Sequence, residues 1–396
     1  MKSFWMVFIF LVTCGQLTNG CLTPAPELAG QSRTWQMSRL PPELGPLAHA
    51  SCYANDQRLI VWGGTRDDQD EIWNNRLGIY EKGKWTVFDE SAGPRPRVEA
   101  SATGFNDQFF IVGGVSPQGE VLSDSFMFQV DRHRWQGLGS PLDKAPRRRA
   151  SLIGHEKRVW LYGGRQGNRE EALNGIDLSN LTWFQLPLKR TIPSRMGHSA
   201  LAIEGKLMIW GGWEPLDSAG RSKKLKSDGY WIDLSTGEVK EIPAPPVEVL
   251  SPRANMHTHE FAGEVYIWGG ASEDKRANRG AVYRISDQSW TPLPPIPDAR
   301  FEDLSHPQMT WIEGQGFLLS GGRFADGSFN QVVYLLSSEH KQWQALPWLE
   351  FPLGRIAHCF VFQAPDRVHV VGGLGEDRGG HLVQFDEIWT LSLIDP

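Results

Sequence analysis

Short apolar runs recur along the chain, and each stops at a pair of glycines. Leu59-Ile60-Val61-Trp62 leads into Gly63-Gly64, Phe110-Ile111-Val112 into Gly113-Gly114, and Val159-Trp160-Leu161-Tyr162 into Gly163-Gly164. Leu207-Met208-Ile209-Trp210 leads into Gly211-Gly212, and the series goes on through Gly269-Gly270, Gly321-Gly322 and Gly372-Gly373. The first glycines are separated by 50, 50, 48, 58, 52 and 51 residues. Runs of β-branched and aromatic residues bounded by turn residues predict strands. A period near fifty predicts one supersecondary unit, stacked seven times.

Around each diglycine the same polar and apolar order returns. A strand of small residues comes first, as in Ala50-Ser51, Ala100-Ser101, Ala150-Ser151 and Ser199-Ala200. A tight turn such as Asn106-Asp107 or Glu204-Gly205 connects it to the run that ends at the glycines. A third strand carries Tyr80, Phe128, Asp177, Asp233, Tyr283 or Tyr334. A fourth opens with Trp85, Trp135, Trp183, Trp290 or Trp343, and Val239-Lys240-Glu241-Ile242 stands there in the fourth repeat.

Diglycine, then tyrosine, then tryptophan resembles the kelch repeat, over about residues 34–393. The resemblance implies an all-β, seven-bladed propeller with one four-stranded antiparallel blade per repeat. The seventh repeat ends after Ile388-Trp389-Thr390-Leu391, whereas Trp35-Gln36-Met37-Ser38 is a spare fourth strand at the other end. The N-terminal strand is therefore expected to complete the last blade and leave no unpaired edge. The expected domains are 1–20, a signal peptide, 21–33, a tether, and 34–396, the propeller.

Composition adds the compartment. Lys2 followed by the apolar run Phe4–Val12 reads as an export signal, too short to span a bilayer as a helix. Two processing routes fit: cleavage after Gly20, or lipidation of Cys21, because Leu17-Thr18-Asn19-Gly20-Cys21 resembles a degenerate bacterial lipobox. The expected location is periplasmic, outer-membrane-anchored or extracellular, with the membrane reached only through Cys21. The net charge of −6 gives no reason to expect nucleic acid. Of four cysteines, Cys52 and Cys359 fall near the first strands of the first and last repeats. Inner strands of adjacent blades usually stand too far apart for a disulfide, so two buried free thiols are expected, with a bridge as the alternative.

The most regular polar feature is an arginine shortly before the first strand: Arg97, Arg147, Arg195, Arg253, Arg300 and Arg355, with Leu47 in the first repeat. Chain direction places the loops after the diglycines, with Arg66, Arg165 and Arg323, at the same end. A guanidinium-bearing loop face suits carboxylates, and some kelch propellers grip acidic peptide segments in this way. The competing reading is that these arginines brace neighbouring loops. His49, His198, His257, His306 and His358 share the repeat phase, and His257 and His259 point to one side of a strand. No third ligand can be named, so neither metal nor cofactor is expected.

The insertion Trp213–Lys226, with Arg221, Lys223, Lys224 and Lys226, is a basic projection, solvated or ligand-binding. Asn180-Leu181-Thr182 matches a glycosylation acceptor. The leading expectation is an exported, monomeric, noncatalytic binding propeller for an acidic protein or glycan. The alternative is a carbohydrate-active enzyme similar to sialic-acid mutarotases, which needs an acid such as Glu99 and an arginine converging over the channel.

Overall fold

The computed structural model describes residues 34–393 except 66–72, 89–92, 143, 165–169, 217–222, 275–276, 348, 350–353 and 378. The expected signal, the tether with Cys21, and both Arg66 and Arg165 lie outside the described residues. Among those described, seven four-stranded antiparallel sheets carry the fold, one for each diglycine. The first consists of Ser51–Ala54, Leu59–Trp62, Leu77–Glu81 and Lys84–Phe88, in that order. Its last two strands are joined by Lys82-Gly83, both at positive φ, as a two-residue hairpin requires. In the seventh sheet, Gln36–Arg39 pairs antiparallel with Glu387–Ser392, Met37 opposite Trp389 and Ser38 opposite Ile388.

The second strands are buried at every position in the first repeat, since sheets cover both of their faces. The buried apolar residues form seven clusters among the described residues, each shared by two successive repeats. One of them joins Leu40, Leu44, Leu47, Leu59 and Val61 to Val371 and Ile388, the two ends of the chain. The repeat tryptophans serve these seams. Trp135 meets Trp62 of the preceding repeat edge-on at 6.4 Å, and Trp343 meets Trp268 at 4.7 Å. Aromatic pairs in this geometry add to simple burial.

The diglycines stitch neighbouring repeats through the backbone. The second glycine donates its N–H to the next repeat: Gly114 to Arg147 O at 2.8 Å, Gly164 to Arg195 O at 2.8 Å, Gly212 to Arg253 O at 2.8 Å and Gly322 to Arg355 O at 2.9 Å. Gly373 does the same to Leu47 O at 2.6 Å, across the chain ends. Gly113 shows why glycine is needed. Its φ is +65°, and a Cβ there would stand 2.3 Å from the Arg147 carbonyl oxygen.

One expectation is corrected here: Cys52 and Cys359 form a disulfide, with their Cα atoms 6.1 Å apart. The inner strands of the first and last repeats converge closely enough for a bridge. His49 N–H donates to Ala357 O at 2.9 Å just before the two cysteine strands. Elsewhere, Ser101 Oγ reaches Ala150 O at 2.8 Å and Phe362 N–H reaches Thr310 Oγ1 at 2.9 Å, each on an adjacent inner strand. The bridge closes a loop of 307 residues, which restricts the unfolded chain. Replacing both cysteines by alanine is expected to cost about 2–5 kcal/mol in denaturant unfolding. Equal midpoints for the two proteins would contradict this.

Candidate functional site

Five of the predicted arginines are interior groups. Arg97, Arg147, Arg195, Arg253 and Arg355 are buried. Each donates Nη1 to the carbonyl of the first glycine in its own repeat: Gly113 at 2.9 Å, Gly163, Gly211 at 3.2 Å, Gly269 at 2.8 Å and Gly372 at 2.9 Å. Carboxylates at the start of the third or closing strands complete some of the forks. Arg97 pairs with Asp124, and its Nη2 lies 2.9 Å from Oδ2. Arg195 Nη2 lies 2.9 Å from Asp228 Oδ2, and Arg355 Nη2 lies 3.6 Å from Glu387 Oε2. Burial pulls Arg253 and Arg355 down to about 10, which leaves both charged at neutral pH. The expected surface ring of these guanidiniums is therefore replaced by a set of internal clasps.

Arg300 is not the sixth member of that set. It sits in a short 3₁₀ turn, Ala299–Asp303, exposed and paired to Asp298 at 2.7 Å. Ser305 bridges to Arg323 as Ala48 bridges to Thr65, so the equivalent position is Leu304, matching Leu47. In that repeat Asn330 Nδ2 takes the Gly321 carbonyl at 3.0 Å. Arg300 lies four residues before that position, in the 3₁₀ turn that leads up to it. Arg323 is exposed, with its Nε on Gly327 O at 3.0 Å.

The exposed chemistry gathers two residues beyond the clasp position. His49, Glu99, Arg149, Gly197, Asn255, His306 and Ala357 all hold φ between 53° and 59°, immediately before their inner strands. Left-handed backbone at non-glycine residues carries strain and marks places worth testing for function. Backbone bonds link these positions in succession: Arg149 N–H to Glu99 O at 3.0 Å, Gly197 to Arg149 O at 3.2 Å and Asn255 to Gly197 O at 2.7 Å. Glu99 is paired with Arg149 and lies 3.5 Å from Arg148 Nη1. Arg149 stands 6.0 Å from the Trp213 ring, and Lys223 Nζ stands 4.6 Å from it. Trp213–Pro215 and Lys223–Leu225 form a hairpin from the predicted basic insertion. Lys226 is paired with Glu214 at 3.0 Å, and Arg221 lies outside the described residues. Beside these positions a cavity of about 310 Å³ runs between inner strands, lined by Ala102, Ser151, His198, Ser199, Met256 and Thr258.

The histidines divide between surface and interior. His306 is pushed down by burial and by the charge of nearby His49. His198 and His358 pack beneath the diglycines of the preceding repeats, with a Cβ on Gly163 or Gly321 falling within 2.6 or 2.5 Å of their rings. His257 bonds Pro307 O at 3.3 Å and His259 stacks on Trp311 at 4.4 Å, which makes them seam residues between the fifth and sixth repeats.

Two outcomes follow from these placements. Arg195→Met removes the donors to the Gly211 and Asp228 carbonyls and to the Asp228 carboxylate, and is expected to cost about 3 kcal/mol of stability. Urea unfolding checks this, and an unchanged midpoint would contradict it. Burial holds His257 and His259 at about 4, against 6.5 when unfolded. The unfolded chain thus binds more protons below 6.5, so stability falls as pH drops from 6.5 towards 4. Melting temperatures across that window should decline less in a His257→Gln/His259→Phe variant than in the parent. Parallel profiles would contradict the assignment.

Comparison with known proteins bears on the whole chain. Residues 29–212 and 197–395 match the family described as the KLHDC2/KLHL20/DRC7 Kelch-repeats domain. The chain is 29% identical over 241 residues to kelch domain-containing protein 3 of Homo sapiens, covering 54% of this chain and 60% of that protein. It is 23% identical over 283 residues to host cell factor of Drosophila melanogaster, covering 59% of this chain and 18% of that protein. To the flagellar outer-arm dynein alpha chain of Chlamydomonas reinhardtii it is 28% identical over 162 residues, covering 37% of this chain and 4% of that protein. In each case the chain spans less than two thirds of the relative's length. With one four-stranded sheet for each diglycine and the family match along both halves, the chain belongs to the kelch-repeat β-propeller family.

Proposed function

We propose that this chain is an exported binding module, a closed ring of seven blades that holds an acidic segment of a protein partner over its channel mouth. Arg149 and Lys223 over the Trp213 ring, with Arg148 beside Glu99, carry the reading. Cations beside a partly exposed aromatic ring favour a carboxylate-bearing ligand with apolar neighbours. The five buried arginines hold the loops that present this cluster. Ring closure is supported by the strand pairing of Gln36–Arg39 with Glu387–Ser392 and by the Gly373 to Leu47 bond. Export is supported by the N-terminal charge and apolar pattern, and by a disulfide, which suits an oxidising compartment. An anchor at Cys21 would make the exported chain a lipoprotein, which mass spectrometry of its mature N-terminus reads directly.

A peptide-display selection on the purified chain tests the ligand class. Selected peptides should be rich in Asp and Glu, and Arg149→Glu with Lys223→Glu should reduce their capture at least about tenfold. Capture unchanged by that pair would remove the mouth from the account. Selection of acidic glycans alone on an array would replace the protein partner by a carbohydrate.

One contact favours the second reading. Glu99 and Arg149 converge at the mouth, as an acid and a base-stabilising cation would in a mutarotase-like isomerase. Sialic-acid anomer exchange followed by NMR should then be accelerated by the parent and not by Glu99→Gln. A rate equal to buffer would exclude it.

A further inference from the structure

We infer that the end of the molecule opposite the diglycine turns carries a second binding site, for a small organic oxyanion with a flat apolar body. A cavity of about 540 Å³ lies on the seam between the first and second repeats. Pockets that bury small organic ligands commonly fall in this size range. Arg58 stands just before the second strand of the first repeat, while Lys82 and Lys84 flank the hairpin Gly83. His133 comes from the turn between the third and fourth strands of the second repeat. These turns lie at the far strand ends from the channel mouth, so the cavity is separate from the cluster around Trp213.

The lining divides into a charged side and an apolar side. Ile79 and Val130 are buried, and the Phe88 ring lies 4.9 Å from His133 and 5.0 Å from Phe128. Three permanent cations, Arg58, Lys82 and Lys84, outnumber the carboxylates Glu81 and Asp131. Arg58 is the informative one. Its side chain is only 12% exposed, and its buried Nε makes no hydrogen bond among the described residues. The nearest acid, Glu81 Oε2, stands 3.8 Å away, beyond hydrogen-bond reach. Its Nη2 is held by Gln57 at 3.0 Å, which fixes the guanidinium. Held by Gln57 at one edge, the Arg58 guanidinium is a fixed cation lining the cavity, and a ligand oxyanion would sit against it. Lys82, 89% exposed, and Lys84 would add charge at the rim, and the Phe88 face would receive the apolar body.

Phenyl phosphate is the probe. Titrated into the intact chain, it should bind saturably, shift the amide resonances of Gly83 and Lys84, and bind better than inorganic phosphate. Arg58→Gln should weaken it at least about tenfold, the expected loss of a charge-assisted hydrogen bond. Lys84→Gln changes an exposed side chain and should weaken it without altering the melting temperature. Vesicles separate the sources of the oxyanion. Sedimentation with phosphatidylglycerol but not phosphatidylcholine vesicles, lost in Arg58→Gln, identifies a lipid headgroup. Phenyl phosphate binding without vesicle binding identifies a soluble ligand. Absence of saturable binding, or affinity that survives both substitutions, would overturn the proposal. Neither result touches the mouth, because Arg149 and Lys223 remain unaltered.

Discussion

A backbone amide of one repeat donating to a carbonyl of the next is the contact on which this architecture rests. The N–H belongs to the second glycine of a diglycine, and the accepting carbonyl belongs to the clasp position, an arginine in most repeats. The same arginine reaches back with its side chain to its own first glycine. One residue therefore couples the turn within its repeat to the joint with the repeat before it. A side chain on the first glycine would collide with that carbonyl at Gly113, Gly163, Gly321 and Gly372, where a Cβ would stand 2.2–2.3 Å from it.

Burying a guanidinium is costly unless its donors are satisfied. Here backbone carbonyls do much of that, with Asp124, Asp228 and Glu387 supplying countercharge in three repeats. Aromatic faces take part as well: Arg355 lies 4.0 Å from the Phe385 ring and Arg195 lies 5.0 Å from Tyr230. A lysine could not make this planar, divergent set of contacts. Where leucine occupies the clasp position in the sixth repeat, Asn330 answers the glycine carbonyl instead. In that repeat the donor is kept although its residue type changes.

The repeat order was legible because each blade obeys local rules. Apolar runs end at glycines, tryptophans open the last strands, and Trp35 supplies the strand that the seventh repeat lacks. The site was only half legible. Regular spacing drew attention to Arg97, Arg147, Arg195, Arg253 and Arg355, yet regular spacing here reflects a packing need met once per blade. Arg300 falls outside the series because the clasp position of its repeat is Leu304, four residues further on, and the 3₁₀ turn before it breaks the regular spacing. The residues of the candidate site, Arg148, Arg149 and Trp213, differ from repeat to repeat and so show no period. Glu99 was visible as an acid in the right phase, but its pairing with Arg149 depends on two blades meeting. The Cys52–Cys359 bridge is hidden for a similar reason: the separation of inner strands is set by how the first and last sheets pack together.

Presentation of the mouth follows from the clasps. His49, Glu99, Arg149, Asn255 and His306 hang on backbone that the buried arginines and diglycines hold in place, while their own side chains face other demands. Native-state hydrogen exchange at the second-glycine amides tests this dependence most directly. Gly114, Gly164, Gly212, Gly322 and Gly373 should exchange only through global unfolding, with protection equal to that of the buried second strands. Exchange at these amides as fast as in exposed turns such as Gly205 and Gly263 would contradict it.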